Sequence, residues 1–390
     1  MAPPRPPLLW LLWLARCRAA SLWRAPPETP PMAIGTLQIR FPQAQGPADP
    51  SAVQAVYVAC GEGSCRRGGE AVRSFLAQAR LDRLSWSFGG SGAKPVLHLF
   101  LDEACAKEME KLQTSEPDLA QEAHFKTYIT SQIRQTTVGM NLYKNCASLR
   151  LSLPRVLPDL PKLLYMDTDT LVVGSLQGLW KLDPYLWAFG ENDPGWYAGG
   201  NRCPRDWKEH MPMPAQEKVQ LKSCAYGGFG INSGVMLLNQ DTWRRLNLDK
   251  EINDLTRTLT QDGKDPQVLL MGDQDILNML AVAHEKDHYT MMLPCEMNSV
   301  FLNRYMCYYG SGNWSSFSTL HPVNPTNASG LTRNSRRPVI IHGKFHYTWA
   351  HEPLWVHLHQ QVLAAVDAVS SGKAYGARSL CEVAGGCDLN

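Results

Sequence analysis

The sequence predicts an α/β fold with a mostly parallel central sheet flanked by helices. Apolar runs of strand length alternate with segments whose apolar residues recur at helical spacing. The runs are continuous rather than alternating, which is typical of strands buried on both faces. Repetition of this pattern indicates β–α–β units. With 390 residues, of which 44% are hydrophobic and 19% charged, the chain is long enough for one large domain of this kind.

The first half of the chain contains the clearest predicted elements. Residues 55–60 predict a first strand, and residues 69–80 predict a helix with its apolar residues on one face. Residues 96–101 predict a second strand, which another helical stretch follows. Residues 140–153 carry leucines at helical spacing, and we expect Pro154 to end that helix.

The second half continues the same alternation. Residues 191–229 are predicted to be a long loop or insertion. A polar helix follows Asp241, a second covers residues 273–284, and a third begins at Pro353. Further strands are predicted at residues 186–190, 230–239, 289–293 and 338–342.

The ends of the chain predict a secretory protein with a single catalytic domain. The apolar segment at residues 8–15 is shorter than the roughly 20 residues that span a bilayer, so it resembles a signal peptide or a truncated signal anchor. Membrane contact is expected only through such an N-terminal type II anchor, in the Golgi or endoplasmic reticulum. The predicted segments are 1–20 signal-like or truncated signal anchor, 21–51 flexible stem, 52–370 catalytic domain and 371–390 C-terminal tail.

Cysteines and glycosylation sequons also favour an oxidising compartment. Eleven cysteines lack the close spacing of a zinc site. Sequons begin at Asn313 and Asn327. The predicted disulfide pairs are Cys295 with Cys307, Cys381 with Cys387, and Cys203 with Cys224.

The charge balance argues against a nucleic-acid partner. The formal net charge is only +2 at pH 7, which leaves no strongly basic footprint. Twelve tryptophans and thirteen tyrosines supply aromatic side chains of the kind that line sugar sites, although packing explains most of them.

Two aspartates at the end of an apolar run are the most informative pattern. In the sequence KLLYMDTDTLVV, Asp167 and Asp169 flank Thr168. Side chains at i and i+2 of an extended backbone share a face, so both carboxylates are expected to project together from a strand end. A divalent metal that carries a phosphate would relieve their repulsion. The alternative is a pair of solvated loop or turn-capping aspartates.

Further polar residues at strand and helix ends suit the same chemistry. Asn232 could hydrogen-bond a hydroxyl group or merely begin a strand. Asp273 and Gln274 suit a polyhydroxyl substrate, unless Asp273 is only a helix N-cap. His342 ends a buried strand and is the natural third ligand for Mn²⁺. Arg150 is either a phosphate clamp or a surface cation.

These pieces resemble the family-8 retaining glycosyltransferases, which have a GT-A-type fold, over residues 53–366. They are most similar to the animal glucoside xylosyltransferases, which extend O-glucose on epidermal-growth-factor repeats. The matching stretches are residues 146–154, 164–169, 195–197, 232–239, 272–278, 293–295 and 341–343.

The resemblance implies a role for each matching residue. Asp167 and Asp169, with Thr168 between them, would meet ribose and metal, and His342 would be the third metal ligand. Residues framing the uridine would be Val58, Ala59 and Cys60. Arg150 would be the basic donor-site residue. The residues around the transferred sugar and the acceptor, carried over as catalytic, would be Asn232, Asp273 and Gln274.

One part of the family pattern is missing. The family has a glycine and then a diphosphate-binding lysine after the metal histidine, but this chain has Phe345 and Thr348 at those positions. Lys344 or His346 is the expected replacement. Residues 296–335 also depart from the xylosyltransferase pattern.

The resulting prediction is a metal-dependent retaining transfer of xylose. The donor would be UDP-xylose, the metal Mn²⁺ or another divalent ion, and the acceptor a glycoprotein with O-glucosylated epidermal-growth-factor repeats, joined by an α-1,3 linkage. Three alternatives stay open: a UDP-glucose or UDP-galactose transferase, a haloacid-dehalogenase-like phosphatase with Asp167 as nucleophile, and an inactive sugar-binding relative.

Overall fold

The structure of the chain is a computed structural model. It describes residues 52–85, 93–133, 146–191, 230–260, 272–284, 287, 289–300, 338–343, 353–374, 377 and 379–384. All of these residues belong to one compact unit, Thr36–Asn390. The predicted signal-like segment, stem, sequons and 191–229 loop lie outside the described residues, apart from Glu191 at the loop's start.

Strands and helices alternate in the order that the apolar runs predict. The strands are β1 Gln54–Ala59, β2 Val96–Leu101, β3 His124–Ile129, β4 Lys162–Met166, β5 Thr170–Val172, β6 Trp187–Glu191, β7 Ile231–Asn239, β8 Thr290–Met292, β9 Ser299–Val300 and β10 Ile340–His342. The α-helices are α1 Glu62–Ser85, α2 Glu103–Ser115, α3 Pro117–Ala120, α4 Leu153–Val156, α5 Gln177–Lys181, α6 Gln240–Leu246, α7 Leu248–Thr260, α8 Asp273–Ala283, α9 Pro353–Ser370 and α10 Leu380–Val383.

The main sheet has seven strands in the order β3-β2-β1-β4-β7-β6-β8. Strand β1 is parallel to β2 and β4, β2 is parallel to β3, and β6 is parallel to β8. Strand β7 is antiparallel to both of its neighbours. The predicted α/β class with a mostly parallel sheet is therefore confirmed. The carboxyl ends of β1, β2, β3 and β4 share one edge of this sheet.

The central strands are buried on both faces because helices cover each side. Along β1, Tyr57 packs in the core on the face covered by α1 and α9, whereas Val56 and Val58 pack in the core on the opposite face. This alternation follows from the two-residue period of a strand. Each such buried side chain contributes roughly 1.5–3 kcal/mol relative to exposure.

A smaller sheet lies beside the end of β4. Strand β10 pairs antiparallel with β5 and parallel with β9, in the order β5-β10-β9. Because β5 begins immediately after the aspartate pair, this sheet brings the end of β10 to the same place.

Some sequence predictions differ from the structure. Pro154 does not end a helix; it lies in the first turn of α4, where its missing N–H costs nothing. Part of the segment predicted as a C-terminal tail forms α10, whose Leu380 and Cys381 are buried in the core. Among the described residues, no helix is long and apolar enough to cross a membrane.

Two disulfides join elements that the sequence did not pair. Cys60 bonds Cys146, and Cys65 bonds Cys105. Cys381 is also disulfide-bonded, but its predicted partner Cys387 lies outside the described residues. The other two predicted pairs cannot be placed either, because Cys203, Cys224 and Cys307 lie outside them too.

Candidate metal and nucleotide-sugar site

The two aspartates converge through a turn, not through an extended strand. Strand β4 ends at Met166, and the Thr170 amide donates to the Asp167 carbonyl at 3.2 Å, which closes a turn over residues 167–170. The Thr170 hydroxyl also donates to this carbonyl at 2.7 Å. The predicted convergence is therefore present, but its predicted reason was wrong: the carboxylates meet because the chain reverses between β4 and β5.

Strand β10 delivers the histidine to the pair. His342 lies opposite Thr170 in the β5–β10 register, and the Gly343 amide donates to the Asp169 carbonyl at 2.9 Å. Nε2 of His342 lies 3.3 Å from Asp169 Oδ1 and 3.9 Å from Asp167 Oδ2. One ligand atom from each residue falls within 4.8 Å of the others, so the three could hold one metal ion. Two carboxylates with one imidazole are a donor set that suits Mn²⁺.

Hydrogen bonds fix the orientation of the imidazole. Nδ1 of His342 lies 3.0 Å from Oδ1 of the buried Asn298. The Asn298 amide in turn donates to Asn232 Oδ1 at 3.2 Å, which also accepts from the Gly234 amide at 2.9 Å. Because the amide nitrogen of Asn298 donates to Asn232, the atom of Asn298 that faces His342 is its oxygen. This oxygen must therefore accept a hydrogen bond from Nδ1–H of His342. The lone pair of Nε2 is then directed at the aspartates, as a metal ligand requires.

Two glycines provide the space for this chain of contacts. A β-carbon at Gly234 would lie 2.0 Å from Cε1 of His342, and one at Gly190 would lie 1.9 Å from Nδ2 of Asn298. Gly190 follows an irregularity in the β6–β7 pairing. Both positions therefore exclude any side chain while the imidazole and amide stay in place.

Tyr165 and Arg150 occupy the other oxygen of Asp167. The Tyr165 hydroxyl donates to Oδ1 at 2.6 Å, and Arg150 Nη1 lies 3.5 Å from the same atom. Burial raises the pKa of Tyr165, so it stays a donor. Oδ2 of Asp167 is thereby left facing His342 and Asp169.

The protonation state of Asp169 follows from its neighbours. Burial by itself would raise the pKa of this carboxyl, but the positive charge of the facing His342 ring in its protonated form, which a bound metal ion would replace, and that of the Arg67 guanidinium outweigh it. The pKa of Asp169 therefore lies below its ordinary value, and the carboxylate is ionised at neutral pH.

Arg150 is a buried cation and not the surface cation that we weighed as the alternative. It lies on a 3₁₀ helix, Ala147–Ser152, and forms an ion pair with Asp273 through Nε. Its Nη1 donates to the carbonyl and the hydroxyl of Ser233, at 2.9 Å each. Arg150 thus links the end of β4 to β7 and α8 next to the aspartate pair. Its role as a donor-site residue stays a prediction.

The start of α8 contributes the two other predicted residues. Asp273 is not the N-cap; Gly272, with a positive φ of 63°, holds that position, so the carboxylate is available to Arg150. Gln274 Oε1 accepts from the amide and hydroxyl of Ser233, at 3.1 Å each. Its Nε2 is buried and has no hydrogen-bond partner within the described structure. The amide nitrogen of Gln274 can therefore donate a hydrogen bond to a ligand.

The remaining predicted nucleotide-binding residues lie at the end of β1, in the turn between the two aspartates, or outside the described residues. Val58 and Ala59 are buried, and Cys60 follows them with its sulfur in the bond to Cys146. Thr168 is buried between the two aspartates. Lys344 and His346 cannot be placed, because residues 344–350 lie outside the described part.

Sequence reasoning missed several site residues. Ser233 and Asn298 reach the site through contacts between distant segments, for which one sequence gives no signal. Tyr165 lies only two residues before Asp167, so its position next to the aspartates was the available signal. Arg67 of α1 also lies close enough to influence Asp169. A second group with metal-ligand spacing, Cys65, Asp102 and Cys105, is not a metal site because its two cysteines form a disulfide.

Comparison with known proteins gives a consistent family. A model of the family described as "Glycosyl transferase family 8" matches residues 74–342. Mouse glucoside xylosyltransferase 2 is 28% identical over 231 residues, which cover 57% of this chain and 48% of that protein. Human glucoside xylosyltransferase 1 is 32% identical over 179 residues, which cover 44% of this chain and 36% of that protein. The match thus spans less than half the length of either relative.

A solved structure with a related description was also found. The apo form of mouse xyloside xylosyltransferase 1 aligns with a TM-score of 0.46 at 15% identity, covering 75% of this chain and 98% of that chain.

Proposed function

Because this chain belongs to glycosyl transferase family 8, we propose that it transfers a sugar from a UDP-sugar to a hydroxyl group of an acceptor. The observation that carries the proposal is the meeting of Asp167, Asp169 and His342 at the carboxyl edge of the sheet. Ligands of α/β sheets bind at this edge.

The three residues would hold a divalent cation, with Mn²⁺ as the first choice. Their donor atoms fit such an ion, since two carboxylate oxygens and one correctly oriented imidazole nitrogen face a common point. When bound, the ion would neutralise the negative charge that develops on the departing diphosphate.

The residues around the ion would orient the donor sugar and the acceptor. The free Nε2 of Gln274 can donate to a sugar hydroxyl, whereas its oxygen is already engaged by Ser233. An amide oxygen is a weak nucleophile, and this one points into the protein. We therefore favour front-face attack by the acceptor, with retained configuration, in which the leaving phosphate takes the acceptor proton.

The donor is proposed to be UDP-xylose and the acceptor a glucose-bearing glycoprotein. The names of the relatives, glucoside xylosyltransferases 1 and 2, support this choice. UDP-glucose and UDP-galactose are the alternative donors. O-glucosylated epidermal-growth-factor repeats and an α-1,3 linkage belong to the same proposal.

The phosphatase alternative does not agree with the family, so it is not proposed. The inactive alternative would bind the UDP-sugar at the same site as the transferase but would not transfer the sugar. Two disulfides within the domain support a secretory-pathway lumen as its location.

A donor panel tests the proposal. We expect UDP release from UDP-xylose in the presence of Mn²⁺ and a glucoside acceptor, with little release after chelation of the metal. UDP binding without release from any donor would support the inactive alternative instead.

Asp169→Asn tests the metal site by itself. The substitution removes one anionic ligand but preserves the side-chain shape, so we expect loss of Mn²⁺-dependent UDP binding in titration calorimetry with little change in the thermal transition. Undiminished UDP affinity in this variant would contradict the metal role.

A further inference from the structure

The proposed donor would bring additional negative charge to an already acidic site. A diphosphate carries two negative charges in the nucleotide-sugar, and three carboxylates already surround the site. Arg150 is engaged by two of them, Asp167 and Asp273, together with Ser233. Buried anions require compensation by fixed cations or donors. A guanidinium that is not yet engaged would therefore be valuable here.

Helix α1 brings such a guanidinium to the aspartate turn. The hydroxyl of Ser64 lies 3.1 Å from that of Thr168, the residue between the two aspartates. A β-carbon at Gly68 would lie 3.5 Å from Cγ2 of Thr168. Arg67 is one helical turn beyond Ser64 and adjacent to Gly68, so it lies on the part of α1 that packs against this turn.

The side chain of Arg67 has unused hydrogen-bonding capacity. Its Nε and Nη1 atoms are buried and have no hydrogen-bond partner among the described residues. Burial lowers the pKa of Arg67, while Asp169 acts in the opposite direction. An arginine nevertheless keeps its charge in proteins. Buried donors of a charged group that lack an acceptor are rare and indicate a missing partner.

We propose that Arg67 binds the diphosphate of the nucleotide-sugar through its guanidinium. The inference rests on the proposed function, since it concerns the same donor. A guanidinium presents several N–H donors in a planar fork, which matches phosphate oxygens geometrically. It would add a fixed positive charge on the side of the site formed by α1. Arg67 would thus be a donor-binding residue contributed by the first helix.

Calorimetric titration with UDP and with uridine separates the diphosphate from the nucleoside. In the presence of Mn²⁺, Arg67→Gln should weaken UDP binding by about 10- to 100-fold, the value of a charged hydrogen bond. Uridine binding should change less than about twofold, because the nucleoside lacks the phosphates. Arg67→Lys should recover part of the UDP affinity, since it restores charge without the fork.

Arg66→Gln is the matched control. Arg66 is the neighbouring, exposed residue of the same helix, so its replacement should leave UDP affinity nearly unchanged. Equal UDP affinity in wild type and Arg67→Gln would overturn the inference but not the proposed function. Equal weakening of UDP and uridine would also overturn it. Failure of the wild-type chain to bind UDP with Mn²⁺ would overturn both. If Arg67→Gln does not fold, Arg67→Lys with wild-type UDP affinity would contradict recognition by the fork.

Discussion

The orientation of a single ligand residue, His342, depends on a neighbouring residue that has no side chain. His342 points Nε2 at two carboxylates because Asn298 holds its other ring nitrogen. The His342 ring fits in this position only because Gly234 has no side chain to occupy the same space. The ligand geometry thus depends on a residue that has no side chain.

Gly234→Ala should disable the metal site without a general loss of fold. The added β-carbon would lie 2.0 Å from Cε1 of His342, so the ring must move away from the aspartates. We expect Mn²⁺ affinity, measured by titration calorimetry, to fall by about 10- to 100-fold, as when the support of a metal ligand is lost. The cost to stability should be about 1–3 kcal/mol from overpacking.

Gly69→Ala is the control for that substitution. A β-carbon at Gly69 meets nothing within 4 Å, and alanine favours a helix. This variant should keep its Mn²⁺ affinity and equal or exceed the wild type in thermal stability. Wild-type affinity in Gly234→Ala would show that the imidazole does not ligate the metal.

The sequence predicted the residues with intrinsic chemistry but not the ones that support them. Asp167, Asp169 and His342 could be chosen because carboxylates and a histidine at strand ends are chemically conspicuous. Asn298 could not, because its value comes from contacts with Asn232 and His342, 66 and 44 residues away. Such contacts require the fold.

Strands and helices were predictable in proportion to their burial. Strand β1 is buried along its full length and gives a continuous apolar run. Strand β3 is an edge strand of the seven-stranded sheet and is mostly half-buried, so its sequence, HFKTYI, gives no such run and it was not predicted. The first eight residues of α1 contain three glycines, which conceal the helix. There the Cys65–Cys105 disulfide and the contact of Ser64 with Thr168 compensate for low propensity.

His98 connects three strands and should make the sheet sensitive to acid. Its Nε2 lies 3.0 Å from Gln54 Oε1 on β1, and its Nδ1 lies 3.2 Å from the Tyr128 hydroxyl on β3. Since Gln54 Nε2 donates to the Ala52 carbonyl, its oxygen accepts from His98, and the Tyr128 hydroxyl donates to Nδ1. The ring is therefore neutral. Burial, with a smaller effect from Lys126, lowers the pKa of His98 to about 3.

The sign of the pH dependence follows from this shift. An unfolded histidine titrates near pH 6.5, so between that pH and about 3 the unfolded state binds more protons and stability falls as the pH falls. The contribution is up to about 1.4 kcal/mol per pH unit. We expect the free energy of unfolding, measured with urea between pH 7.5 and 4.5, to fall less steeply with decreasing pH in His98→Gln than in the wild type. His124→Gln, which replaces a less buried ring on β3, should change the slope less. Identical slopes for wild type and His98→Gln would contradict this account.

Across the whole molecule, the site lies where the two sheets and the helices at their edge meet. The end of β4 supplies the aspartates, β10 supplies the imidazole, β7 and α8 supply the amides, and α1 closes the side with Arg67. The order of the elements was readable from the sequence, because burial imposes the apolar runs. The meeting of β5 with β10 was not, because short strands carry little periodic signal.

The two disulfides should stabilise the domain as a unit and weaken it in a reducing environment. The Cys65–Cys105 bond joins α1 to α2 across 40 residues, and the Cys60–Cys146 bond joins the end of β1 to the 3₁₀ helix that carries Arg150 across 86. By loop-closure entropy, removing the first should lower the free energy of unfolding by about 4 kcal/mol. We expect this loss in urea unfolding of the Cys65→Ala, Cys105→Ala double variant. Reduction of the wild type should lower its stability at least as much, because it opens both bonds. An unfolding curve that does not respond to reduction would contradict a structural role for these bonds, and with it the support they give to a lumenal location.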